Sequence, residues 1–186
     1  MSPLIETRTP TPGSPFPLGA NIVDSGTQFA VHAPAASSVQ ICLIDQDGNE
    51  DRVELRQHTY GIWHGIIAGI GAGQRYGIRA SGPWNPRAGL RLNPHKLLID
   101  PWACRIEGEL GDHRALLSYA DDPFGDPSTL DSLGHVPLSV VTPGLVPAGA
   151  RLETPWEESV IYELHVARTP PVIQEYPPPT AERTSA

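Results

Sequence analysis

Lysine is almost missing from this chain: Lys96 stands alone beside twelve arginines, and 21 acidic residues bring the formal charge to −8. A face that neutralises phosphates needs basic residues in number, so DNA and RNA are not expected as partners. Cysteine is as scarce. Cys42 and Cys104 lie far apart, with no Cys-x-x-Cys and no histidine at ligand spacing. That speaks against a zinc site or a disulfide framework and leaves two buried free thiols as the expectation. No run approaches the roughly 18 to 20 apolar residues that cross a bilayer, so no membrane partner is expected. Met1 to Gly19 lacks the basic start and apolar centre of an export signal, and a cytoplasmic location is expected. Long helices are also missing from the pattern, because 18 glycines and 21 prolines punctuate 186 residues.

Catalytic signatures are lacking too. A retaining glycosidase holds two carboxyl groups roughly 5 to 5.5 Å apart on rigid elements. The acidic pairs here, Asp121-Asp122 and Glu157-Glu158, are plain neighbours in turn-like surroundings. No Gly-x-Ser-x-Gly, phosphate loop or His-Glu-x-x-His occurs. No catalytic residue, metal ligand or cofactor follows from the residues.

What is present is a succession of short alternating segments. Thr27 to Ala33 sets Phe29, Val31 and Ala33 on one face, and Val39 to Asp45 does the same with Val39, Ile41 and Leu43. Asp47-Gly48 tolerates the positive φ of a tight reversal into Arg52 to Arg56. Ile62 to Ala68 and Arg75 to Ser81 repeat the scheme across Gly69 to Gly73. Five short strands at regular spacing predict an all-β antiparallel sandwich of immunoglobulin-like form. Residues 1–14, rich in proline, are expected to be disordered.

Beyond Gly82 the prolines forbid a helix, and residues 83–108 are expected to wrap the sandwich, anchored by Leu97-Leu98-Ile99. Residues 109–158 read as a linker with a short helical turn over Arg114 to Ala120 and one strand candidate, Val136 to Val141. Ser159 to Val166 has adjacent Val160, Ile161 and Tyr162, the pattern of a strand covered on both faces. Residues 167–186 read as a disordered tail.

Sugar rings stack their C–H faces on aromatics while amides and charged forks bind the hydroxyls. Trp63, Trp84, Asn85, Arg91, Asn93 and Lys96 are the candidate carbohydrate ligands, provided the wrapped segment gathers them on one surface. For each of the four tryptophans, Trp156 above all, packing in the core or against another domain is the preferred reading over sugar stacking, because aromatic burial contributes most there.

Four stretches carry a resemblance. They are Pro17-Leu18-Gly19-Ala20, Tyr76-Gly77-Ile78-Arg79 running to Gly82-Pro83-Trp84, Leu92-Asn93-Pro94-His95-Lys96-Leu97-Leu98-Ile99-Asp100-Pro101, and Ile161-Tyr162-Glu163-Leu164-His165-Val166. In this order they resemble the N-terminal part of bacterial isoamylase-type glycogen debranching enzymes, of glycoside hydrolase family 13. The resemblance implies a carbohydrate-binding module 48 with a sandwich fold over residues 15–108. It also implies a linker and the first strand of a (β/α)₈ barrel at 159–166.

The family's barrel typically needs about 250 residues, and its catalytic carboxylates lie on later strands, so none carries over to this sequence. The basic residue and glycine that follow the family's His-Val are replaced by Ala167-Arg168-Thr169, which a frame slip or truncation would explain. The function implied is a non-catalytic N-terminal module whose parent enzyme hydrolyses α-1,6 branches of glycogen, with α-glucan and the missing catalytic barrel as partners. A stand-alone glucan-binding or regulatory module is the alternative.

Overall fold

The computed structural model describes residues 8–144, 153–161 and 163. The chain divides into two units, Met1–Val146 and Pro147–Ala186.

In the first unit two antiparallel sheets face each other. One holds β1 (Gly19–Val23), β2 (Gly26–His32), β5 (Gln57–Thr59) and β6 (Ile62–Ala68) in the order β1-β2-β6-β5. The other holds β3 (Ser38–Ile44), β4 (Glu50–Glu54), β7 (Arg75–Ser81), β10 (Ile106–Glu107) and β11 (Leu138–Val140) in the order β10-β11-β7-β3-β4. The all-β sandwich read from the alternation is the architecture found, with β6 and β7 at the expected limits.

Register explains the core. Ile41 stands opposite both Val53 and Ile78, Leu43 opposite Tyr76, and Val39 opposite Ala80, so one face of β3, β4 and β7 is apolar. These residues pack with Phe29 and Ile67 of the facing sheet in one cluster. Phe29 and Tyr76 meet edge to face at 5.2 Å. Asp45 closes the β3–β4 hairpin by accepting from the backbone of Asp47 and Asn49, while Gly48 takes φ 87°.

The wrapped segment covers the second sheet's other face. Leu97 packs with buried Cys42 and Ile44, and a Cβ on Gly77 would lie 2.6 Å from Leu97, so only glycine lets this chain approach β7. Leu98 exchanges two backbone hydrogen bonds with Ile78, extending the β7 edge where β11 stops.

Several local expectations give way. Residues 8–14 are not a free tail: Thr11 exchanges backbone hydrogen bonds with Ile66, and Gly13 and Ser14 donate to Gln57 and Gln28 side chains. The polar backbone there finds partners on an open strand edge, which composition alone does not reveal. Within the linker expected at 109–158 the helical turn forms at His113–Leu116, capped by Asp112, and the strand candidate at 136–141 forms β11, but β11 joins the second sheet instead of standing in a linker. Cys104 is exposed, not buried, whereas Cys42 is buried as expected.

In the second unit, Trp156–Glu158 forms a 3-10 turn. Of the strand expected at 159–166, residues 159–161 and 163 are described and pair with no strand among the described residues, and Val160 and Ile161 are exposed. The remainder, like the tail at 167–186, lies outside the described residues. Among the described residues no helix is long and apolar enough to cross a membrane.

Candidate functional site

The six expected carbohydrate ligands do not share one surface. Trp63 lies on the inward face of β6, half-buried against the core, with its indole N–H donating to the Ala33 carbonyl at 3.2 Å and its ring stacked on His58 at 4.7 Å. The other five belong to the wrapped segment, and there the structure assigns most of them a supporting part.

Trp84 and Asn85 form β8 (Trp84–Asn85), which pairs with β9 (Leu90–Arg91) around a 3-10 turn, Pro86–Ala88. The Asn85 Oδ1 accepts from the Ala88 N–H and Gly89 ends the turn at φ 79°, a left-handed conformation suited to glycine. Trp84 is half-buried and its indole N–H donates to the Gly125 carbonyl at 2.8 Å. This ties the hairpin to the loop at 121–126.

Asn93 and Lys96 are buried, with their polar atoms engaged inside the protein. Asn93 Nδ2 donates to the carbonyls of Ser118 and Ser128 at 2.9 and 2.8 Å, while its Oδ1 accepts from the His95 N–H. Lys96 Nζ donates to the Ala115 carbonyl at 2.8 Å, the Leu130 carbonyl at 2.6 Å and Ser128 Oγ at 3.3 Å. Burial pulls the Lys96 ammonium below the ordinary lysine range. A buried ammonium spending its three donors in this way is a brace for the 115–130 chain and has no donor left for a sugar hydroxyl.

What the brace presents is Phe124. The residue is 52% exposed, and Asp122 Oδ1 fixes the loop by accepting from the Phe124 N–H at 3.0 Å. The Arg87 and Arg91 guanidinium carbons stand 5.3 and 5.7 Å from the ring centroid. Arg91 was legible as a candidate; Phe124 and Arg87 were not. The only sequence signal for Phe124 is a lone aromatic in the turn-rich run Asp121-Asp122-Pro123-Phe124-Gly125-Asp126.

Two further features stand apart from this cluster. A cavity of about 310 Å³, lined almost wholly by apolar side chains including Val31, Ala33, Ile78, Ala80, Leu92 and Leu98, has little to offer hydroxyl groups. Trp102, 60% exposed, borders a second cavity with Leu18, Ile22 and Cys104. Among the described residues no cluster of three His, Cys, Asp or Glu side chains could hold a metal ion.

Comparison with known proteins fits this architecture. Residues 17–103 match carbohydrate-binding module 48 (isoamylase N-terminal domain). The chain is 44% identical over 160 residues to the glycogen operon protein GlgX homolog of Mycobacterium bovis, an alignment covering 83% of this chain and 22% of that protein. It is 42% identical over 160 residues to the glycogen debranching enzyme of Klebsiella pneumoniae, covering 83% of this chain and 23% of that enzyme. The chain thus spans less than a quarter of the length of these relatives. Over residues 17–103 the chain is similar to carbohydrate-binding module 48, the isoamylase N-terminal domain.

Proposed function

We propose that this chain acts as the N-terminal module of a glycogen debranching system, non-catalytic by itself, that contacts α-glucan and packs against a catalytic barrel. The single observation that carries the reading is the 160-residue alignment to debranching enzymes, which runs well past the 17–103 module. The apolar cavity beside Leu92 and Leu98 and the exposed Trp102 support a packing role, since contiguous apolar surface marks protein contacts. In this reading the parent activity is hydrolysis of α-1,6 branch linkages, and the carboxylates for it come from the barrel.

Two measurements on the purified chain test this. Incubation with glycogen is expected to release no reducing ends, and electrophoresis through glycogen-containing gels is expected to retard the chain relative to a gel without glycogen. Release of reducing ends would overturn the non-catalytic reading. Unchanged mobility would remove the glucan contact and leave packing against the barrel as the module's role.

A further inference from the structure

The glucan reading leaves open where a sugar would sit, and the two tryptophans singled out from the sequence are poor platforms. Both are half-buried, and both indole N–H groups are spent on backbone carbonyls, Ala33 for Trp63 and Gly125 for Trp84. We infer that the α-glucan contact surface is Phe124 with Arg87 and Arg91, a site that rests on the reading of this chain as a glucan-binding module.

Three observations support the choice. First, Phe124 stays half exposed although Arg87 and Arg91 stand over its ring, and its loop is pinned by the Trp84–Gly125 bond and the Asp122 turn, so the surface is fixed before a ligand arrives. Preorganisation of this kind removes an ordering cost from binding.

Second, both arginines are exposed, and apart from facing the Phe124 ring their N–H donors are unspent. Among the described residues neither guanidinium donates a hydrogen bond or meets a carboxylate within ion-pair distance, whereas Arg8, Arg52, Arg79 and Arg105 all do. Each guanidinium presents five N–H donors in a planar fork, the geometry that adjacent hydroxyl oxygens of a hexose can accept.

Third, the local charge selects against an anion. Asp121, Asp122 and Asp126 are exposed on the same loop, in a chain of net charge −8. Carboxylates on the Phe124 loop disfavour a phosphate or carboxylate ligand but can accept from sugar hydroxyls. A neutral, hydroxyl-rich ring with a flat C–H face therefore suits the site better than a phosphorylated one.

Affinity electrophoresis of the full 186-residue chain in glycogen gels tests the site. Phe124→Ala and the double variant Arg87→Ala/Arg91→Ala are each expected to weaken the apparent affinity about tenfold, as loss of a central contact does. Tyr60→Ala, at an aromatic 92% exposed on the β5–β6 turn, is the surface control and is expected to leave retardation unchanged. Circular dichroism checks that each variant is folded, and Phe124→Leu, which keeps the apolar bulk without the aromatic ring, is expected to bind as weakly as the alanine variant. Retardation of the wild type that persists in Phe124→Ala, or is lost only in Tyr60→Ala, would overturn this site while leaving the glucan reading standing. A wild type that glycogen does not retard would overturn both.

Discussion

Arg79 and Glu50 lie side by side beneath the wrapped segment, Nε to Oε1 at 2.6 Å and Nη2 to Oε2 at 3.1 Å, with the arginine side chain 1% exposed. The fork is completed by Asp131 at 2.8 Å and by the Pro94 carbonyl at 2.9 Å. One guanidinium thus joins β4 and β7 to the wrapped segment at Pro94 and to the later chain at Asp131.

Removing Glu50 leaves a buried cation with Asp131 as its remaining carboxylate. Loss of one partner from a buried pair typically costs about 3–5 kcal/mol, and the surviving Asp131 contact places Glu50→Ala at the lower end. Urea unfolding should show the midpoint fall with little change in slope. A loss of less than about 1 kcal/mol, the scale of an exposed pair, would show that the cluster is not a stabilising tie.

The same cluster sets an acid limit. Burial works against the Glu50 carboxylate, but the Arg79 and Arg52 hydrogen bonds outweigh it and hold its pKa below the ordinary range. Asp131 is likewise opposed by burial and lowered by the Leu133 N–H and by Arg79. A carboxylate with a depressed folded pKa binds fewer protons folded than unfolded. Its stabilisation is complete above the unfolded value of about 4 and is lost as pH falls through the folded value. Urea midpoints from neutral pH downwards should decline in that acid window, and Glu50→Gln/Asp131→Asn should decline less steeply. Parallel acid limbs in both proteins would refute the assignment.

Gly77 is a packing prediction. A methyl group there would meet Leu97 Cγ and Cδ1 at 2.6 Å, so Gly77→Ala must push the wrapped segment off β7. Overpacking of this kind costs about 1–3 kcal/mol. The second-site change Leu97→Ala, which opens the space, should make Gly77→Ala nearly neutral in a double-mutant cycle. Simple additivity would show that the two positions do not press on each other.

Asn93 and Lys96 link stability to the Phe124 platform. Asn93→Ala strands the buried Ser128 carbonyl, at about 1–3 kcal/mol for an unsatisfied group, and leaves the Ser118 carbonyl with the Ser128 N–H alone. Amide hydrogen exchange in residues 115–130 should rise above that in the sandwich strands. Glycogen retardation should weaken even though Asn93 touches no sugar. Unchanged exchange there would mean that the brace does not hold the loop.

The alternating strands were legible because one buried face imposes period two, and Ile62–Ala68 and Arg75–Ser81 fall at the limits read from the sequence. β1 and β5 were not. Gly-Ala-Asn-Ile-Val and Gln-His-Thr sit at sheet edges with little apolar contrast, and register against a neighbour defines them more than their own residues do. The placing of the candidate residues was hidden for a related reason. Lys96, Asn93 and Arg79 read as surface groups by type, yet each is buried because the wrapped segment brings carbonyls and carboxylates to meet it. Phe124 becomes a platform only when a loop distant in sequence from Arg87 and Arg91 folds back onto their hairpin, a contact that no local pattern announces.

The first residues before the family boundary have a practical bearing. Thr11 occupies the rim of β6 next to the short β5, and Gln57, Gln28 and Asn21 clasp the strap from Gly13 to Leu18 across the sheet. A shortened gene product trimmed to start at residue 17 would bare unpaired backbone along β6, and such molecules would tend to zip together rim to rim.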